Sequence, residues 1–406
     1  MWIVGLILCL KVAPAAPIDL AEALRIAQER GLDPKTAAWA VASAESTLDA
    51  RRRAGQPDLQ LSANAGAGWS PGSLSPSARV GLSSTTPVYA GGELATDREV
   101  AAALYTASLA EQRRVFLDLR YTLADALLDL GEAQAREALS VELRSAEEAL
   151  LERVQLLVGA GARTEADLRL QEAALARVVA EQAEATRLAA RARLVLVQLL
   201  RLSPREEWEF VAPVNAPAPE GGLDVLILQA AAAVPELQAL EQERLAAEAT
   251  LRGARAGRLP SVNLGVDAGV GWTVEEARPD AGVSLGLAWP LGTRGVVADG
   301  EAQAELAVEA ARLRVELARE AVEISVRGAW EDVRAARVGL TAAEARRRAS
   351  FAAVAVVEAR YTAGSALGSE LLGARATLAD AEYALVGARA QALRAGFLLG
   401  WVVGAD

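Results

Sequence analysis

The sequence predicts an α+β membrane protein of two tandem structural repeats, with four membrane-length strands and long antiparallel coiled-coil helices. Three observations lead there. The chain repeats itself at a constant offset of 203 residues. Four runs of about ten residues alternate apolar with small polar side chains, and two proline-free stretches of about seventy residues carry helical periodicity.

The duplication is read by setting the chain against itself. Pro57-Asp-Leu-Gln-Leu-Ser-Ala-Asn-Ala-Gly-Ala-Gly-Trp69 falls on Pro260-Ser-Val-Asn-Leu-Gly-Val-Asp-Ala-Gly-Val-Gly-Trp272. Without a gap the same offset carries Pro76 to Pro279, Pro87 to Pro290, Gly161 to Gly364 and Leu168 to Leu371. Two Ala-rich helical stretches align somewhere by chance, but chance does not place three prolines and a Gly-x-Gly-Trp in register. The chain therefore divides into residues 16–203, a Pro-rich linker 204–222 and residues 223–406.

Strands are expected at about 59–69, 78–88, 262–272 and 281–289. In the first, Leu59, Leu61, Ala63, Ala65, Ala67 and Trp69 alternate with Gln60, Ser62, Asn64, Gly66 and Gly68. Each run has the length of a tilted membrane strand, and an apolar face ending in Trp suits an aromatic girdle. A soluble sandwich with one wet face is the alternative. Hairpin loops are expected at Ser70 to Ser77 and Thr273 to Asp280, where Pro, Ser and acidic residues gather.

Long helices are expected at 92–159 and 295–363, with return helices at 164–201 and 367–401. Two shorter helices fall at Lys35 to Ala54 and Glu236 to Ala256. Leu139, Leu143, Ala146, Leu150, Val154 and Leu157 form one coiled-coil seam, and Val308, Val315, Val322, Ala329 and Ala336 recur every seven residues as another. A helix of about seventy residues is roughly 100 Å long, which no globular core contains.

Composition narrows the function classes. The net charge is −11 with no basic block, so nucleic acid is excluded as a partner and cations are the favoured ionic guests. Histidine is absent and there is one Cys, so no metal site and no cofactor are expected. No nucleophile, base and orienter cluster and no phosphate loop appear, which argues against an enzyme. Residues 1–15 read as a signal peptide, with an apolar run too short to span a bilayer and Ala13-Pro14-Ala15 as the cleavage site. No basic residue precedes that run and Lys11 follows it, which leaves the start codon open. Cys9 is read as a discarded signal residue rather than a lipid anchor, because Leu8 before it is bulky. No later segment is apolar for long enough to span as a helix, so any crossing is made by strands.

Two segments resemble a known family. Thr86-Pro87-Val88-Tyr89-Ala90-Gly91-Gly92 resembles the element by which TolC-like outer-membrane efflux proteins pass from barrel strand to helix. Its copy, Trp289-Pro290-Leu291-Gly292-Thr293-Arg294-Gly295, keeps the proline and loses the aromatic residue and the Gly pair. Arg360-Tyr361-Thr362-Ala363-Gly364, followed by Ser369-Glu370-Leu371-Leu372, resembles the hairpin at the periplasmic tip of that family. Val158-Gly159-Ala160-Gly161 with Asp167-Leu168 is the first-half counterpart.

Four strands cannot close a barrel, and open strand edges are not tolerated in hydrocarbon, so oligomerisation is expected. Two chains would give eight strands and three would give twelve. The resemblance chooses a homotrimer, with a long coiled-coil α-barrel continuing a transmembrane β-barrel from the outer membrane lipid into the periplasm. It implies the outer-membrane channel of a tripartite efflux or type I secretion system, a passive exit duct. The implied partners are a periplasmic adaptor protein and an inner-membrane efflux pump or ABC transporter. A periplasmic adaptor, which also pairs long helices, is the alternative identity.

The resemblance also assigns residues. Asp167 and Glu370, at matching offset positions, would line the periplasmic aperture, against the plain reading of acidic residues in a first helical turn. Tyr361 and Arg163 are weaker candidates for tip contacts, and a solvated helix-end residue is the role expected of each. Gly161 and Gly364 would form the hairpin tips, and Pro87, Gly91, Gly92 and Pro290 the barrel–helix junction. A family Asp is replaced by Gly373 and a family Arg by Ala366, so the family's detailed gating contacts do not carry over.

Overall fold

The computed structural model describes residues 17–70, 73–216, 221–273, 276–291 and 295–404. The expected signal peptide, with Cys9, lies outside the described residues. The elements follow in the order α1 (Leu20–Arg30), α2 (Leu32–Arg53), β1 (Asp58–Ser70), β2 (Ser73–Ala90), α3 (Glu93–Gly159) and α4 (Glu165–Leu199). Then come α5 (Leu223–Ala233), α6 (Pro235–Ala256), β3 (Ser261–Thr273), β4 (Ala277–Ala288), α7 (Val296–Thr362) and α8 (Gly368–Val403). The chain splits into two compact units, one of residues 1–35, 115–234 and 322–406, the other of residues 36–114 and 235–321.

The second unit holds a four-stranded antiparallel sheet in the order β1-β2-β3-β4. Residues paired across a ladder share a face. One row therefore reads Ala63, Val80, Val270, Pro279, and another Leu61, Leu82, Ala268, Ala281. The rows between them are small and polar, as in Ser62, Gly81, Gly269, Asp280. The apolar face is uncovered: Leu61 is 73% exposed and Leu285 71%. Leu264 pairs with Leu285 on that face, while Asn263 and Ser284 lie on the other.

Both strand hairpins are tighter than the sequence suggested. β1 runs to Ser70 and β2 starts at Ser73, and β4 starts at Ala277, so the expected loops at Ser70 to Ser77 and Thr273 to Asp280 are mostly strand. The prolines that signalled a loop sit where the ladder is one-sided. Pro76 pairs with Ala67 of β1 near the start of β2, Pro87 pairs with Asn263 of β3 beside a register shift, and Pro279 is on β4, an edge strand of the four. Strand starts, irregularities and edge strands are the places where a residue without an N–H is tolerated.

In the first unit, two clusters bury the helices. Ala23, Ile26 and Ala27 of α1 pack with Leu123, Leu127 and Leu130 of α3 and with Leu196 of α4. Leu226 and Ala230 of α5 pack with Val326, Ala329 and Val333 of α7 and with Leu399 of α8. Spacings of three and four place such residues on one helical face, and each buried Leu stabilises the fold by roughly 1.5–3 kcal/mol. The α7 seam is as the heptad predicts, with Val308, Val315, Ala329 and Ala336 buried. The α3 seam is corrected: Ala146 is exposed, and the buried positions are Ser140, Glu147, Leu150 and Val154. Glu147 takes the place because Gln171 of α4 supplies its hydrogen bond.

Sequence reasoning did not place α1 or α5. The signal for α1 was present: the Asp19 carboxylate accepts from the Glu22 N–H at 2.9 Å, capping a helix with apolar residues at 20, 23, 26 and 27. The expected linker is anchored at one point, Phe210, among its described residues 204–216. Val211 donates to the Ile18 carbonyl at 3.0 Å, and both Ile18 and Phe210 are buried. No single described helix is long and apolar enough to cross a membrane, and α5 and α6, which reach that composition only together, are broken at Val234.

Candidate functional site

The two helical hairpins turn in the same way. Gly161 (φ +72°) and Gly364 (φ +77°) adopt the left-handed conformation that only glycine takes without strain. After each, the chain folds back on the helix end. Ala162 donates to the Leu157 carbonyl and Ser365 to the Arg360 carbonyl, both at 2.9 Å, with Gly161 and Gly364 donating three residues back. This is the Schellman arrangement that satisfies a helix's last carbonyls.

The side chains that restart the helices differ. Thr164 and Asp167 make a complete capping box, Thr164 N–H donating to Asp167 Oδ2 at 3.1 Å and Asp167 N–H to Thr164 Oγ1 at 3.3 Å. In the second hairpin Glu370 Oε1 accepts from Leu367 N–H at 3.4 Å, and Leu367 has no oxygen to reciprocate. Glu370 is paired instead with Arg360 at 3.5 Å.

The four candidate aperture residues are brought together, in two different environments. Arg163 lies over the Tyr361 ring, 3.9 Å from its centroid, and donates to the Tyr361 carbonyl. Tyr361 is buried with Leu150, Val154, Ala366 and Leu371. The reading of Tyr361 and Arg163 as solvated helix-end residues is thereby corrected: an aromatic ring and a guanidinium plane bury apolar surface against each other. Asp167 reaches across to the second hairpin, where a Cβ on Gly368 would stand 2.5 Å from its Oδ1. Glycine at 368 thus lets a carboxylate rest against the start of α8, where the helix dipole favours negative charge. Glu370 is exposed.

Beside the tips lies a polar cluster that sequence reasoning missed. Gln171 donates to the Glu147 carboxylate, and Arg375 of α8 stands 3.7 Å from both Glu147 and Glu358. The only signal was a Gln and a Glu interrupting apolar seams. A cavity of about 560 Å³ adjoins it, lined by Leu143, Leu170, Val178, Val354 and Ala376 among others.

At the strand–helix junction, Pro87 lies beside the β2 register shift, and Gly91 (φ +62°) and Gly92 (φ +96°) turn the chain into α3. A Cβ on Gly91 would meet the Ala256 carbonyl at 2.9 Å and Leu259 Cβ at 3.0 Å, so this position needs glycine twice over. The Gly92 carbonyl accepts from Ala95 and Thr96, starting the helix. In the other half Pro290 stands beyond the end of β4, and Gly295 (φ +87°) accepts from Asp299 at 2.8 Å to start α7. Residues 292–294 of that junction lie outside the described residues. Exposed ion pairs join the helices here, among them Arg51–Asp97 at 2.9 Å and Arg255–Glu305 at 3.0 Å, each contributing about 1 kcal/mol or less.

The arrangement offers a sheet with an uncovered apolar face and a packed helical tip, and among the described residues no group of His, Cys, Asp or Glu is set to hold a metal ion. The sequence profile described as outer membrane efflux protein matches residues 23–200 and 226–399, two stretches beginning at the offset of the duplication. No curated protein sequence matches the chain. Among solved structures, the fold is similar to the outer-membrane channel OprN (22% identity, 95% of this chain and 90% of that one, TM-score 0.84). It is similar to the MtrE outer membrane channel of Neisseria gonorrhoeae in its open state (23%, 95% and 89%, TM-score 0.82). It also matches CusC, described with conformational changes accompanying folding and transmembrane channel formation (16%, 98% and 96%, TM-score 0.86). These matches are to channels and lend the adaptor alternative no support. The chain belongs to the outer membrane efflux protein family, whose members are channels, not enzymes, placed in the outer membrane and extending into the periplasm.

Proposed function

We propose that three copies of this chain, each built of two tandem repeats, close a twelve-stranded barrel continued by a helical barrel. The assembly is the passive exit duct of a tripartite efflux or type I secretion system. The observation that carries this reading is a membrane-length sheet with one largely apolar face, exposed on β1 and β4, and two unpaired edges, β1 and β4. Such a sheet is stable in lipid only when its edges are paired, and further copies of the same chain supply the edges. A second apolar stripe on α7, at Leu306, Leu313, Leu317 and Ile324, is exposed opposite the buried seam and suits packing between copies.

Substrate would enter at the hairpin tips from an inner-membrane efflux pump or ABC transporter joined through a periplasmic adaptor. Asp167 and Glu370 would give that aperture six carboxylates per trimer, which concentrate cations. Native mass spectrometry in detergent tests the assembly: a trimer is expected, and a stable monomer contradicts it. Reversal potentials in planar bilayers test the aperture. Cation preference should weaken when Asp167 and Glu370 are both replaced by Ala, and unchanged selectivity would leave them as helix-start residues.

A further inference from the structure

The pairing of β2 with β3 is unlike the other two. β1–β2 and β3–β4 are consecutive strands joined by tight connections, which fix register. β2 and β3 are separated by α3, α4, α5 and α6, so no turn sets their register. Each strand pair also has two outer edges, and β1 could meet β4 as readily as β2 meets β3. Something in the strands themselves must choose.

The polar face carries a candidate. Arg79 of β2 is ion-paired with Asp280 of β4 and, at 3.4 Å, with Asp267 of β3. Its guanidinium lies over a floor without side chains. A Cβ on Gly269 would stand 3.4 Å from Arg79 Nε and 2.9 Å from the Val80 carbonyl, and one on Gly81 would stand 3.6 Å from the same nitrogen. A Cβ on Gly282 would stand 3.0 Å from Asp267 Oδ1. The rest of this face is small and uncharged apart from Asp58 at the start of β1 and Arg278, which pairs with Glu276. A single cation thus spans three strands through a gap that glycines keep open.

We propose that Arg79, Asp267 and Asp280 are positioning residues that select the β2–β3 pairing and lock its register. A slip of one residue turns Arg79 onto the apolar face, and a slip of two puts Gly269 or Thr273 opposite it in place of Gly271, changing the rows its guanidinium crosses to reach the two aspartates. The lock acts within one chain and does not depend on how many copies assemble.

Disulfide trapping reads register directly. Ser84 is opposite Val266, so in a Cys9→Ser background Ser84→Cys with Val266→Cys reports the native pairing. Ser84→Cys with Leu264→Cys or with Ala268→Cys reports a slip of two. In membranes treated with an oxidant, the parent should cross-link almost wholly in the native pair. Arg79→Ala should raise the slipped share several-fold, and Asp267→Asn with Asp280→Asn should do the same without adding to it. Where Arg79→Ala yields too little folded protein, Arg79→Gln and the double aspartate variant carry the same ratio. An unchanged ratio in the folded variants would overturn the proposal.

Discussion

The sheet and the helical core treat leucine in opposite ways. In the core Leu123, Leu127 and Leu196 are fully buried, held among α1, α3 and α4. In the sheet Leu61 and Leu285 are more than two-thirds exposed, although their neighbours along the rows are apolar too. A water-soluble fold places its leucines as the core does. The exposed face calls for an apolar cover, and in the proposed channel that cover is lipid, so one chain would serve two solvents, water around the helices and lipid around the strands.

That contrast can be broken at either end. The largest effect is expected in the core: Leu123→Ala removes a fully buried side chain and should cost about 2–5 kcal/mol, read by denaturant unfolding of the helical signal. Leu264→Arg places a charge on the apolar sheet face and should cost roughly 2–4 kcal/mol near the midplane, while Asn263→Arg on the opposite face should be tolerated. Refolding into bilayers, followed by electrophoretic mobility of the folded oligomer, separates the two. Equal tolerance would remove the assignment of faces.

Smaller effects sharpen the picture at the tips. Arg163→Ala removes the ring contact and the bond to the Tyr361 carbonyl, so the hairpin contact should weaken by about 1–2 kcal/mol, seen as faster proteolysis at the tips. Asp167→Ala should cost about 1 kcal/mol through its complete capping box. Glu370→Ala should cost less, because its box is half made. Hydrogen exchange in the first turns of α4 and α8 measures both, and equal protection losses would show that the second hairpin has a capping partner not accounted for.

Much of this was legible in the sequence because period and punctuation act locally. Alternation from Leu59 to Trp69 dictates a strand whatever surrounds it, and Gly161 and Gly364 carry their left-handed turns in their own chemistry. The errors arose where meaning depends on distant neighbours. Pro76 and Pro279 look like loop residues until the pairing of Pro76 with Ala67 and of Pro279 with Val270 places them inside strands. Glu147 looks like a solvated charge until Gln171 is placed against it. Tyr361 and Arg163 were nominated from the tip motifs, but their mutual packing joins residues about two hundred positions apart and no local pattern announces it. Nor did spacing reveal that Asp167 would lie against Gly368.

In the proposed channel one face of the sheet meets lipid and the other a water-filled lumen. Ser284 and Leu285 are adjacent and point to opposite faces, so cysteine labelling compares them at one depth. In outer-membrane vesicles, a membrane-impermeant maleimide should label Ser284→Cys and spare Leu285→Cys, while a lipid-soluble thiol reagent should reach Leu285→Cys. Labelling of both positions by the impermeant reagent at the same rate would contradict the account.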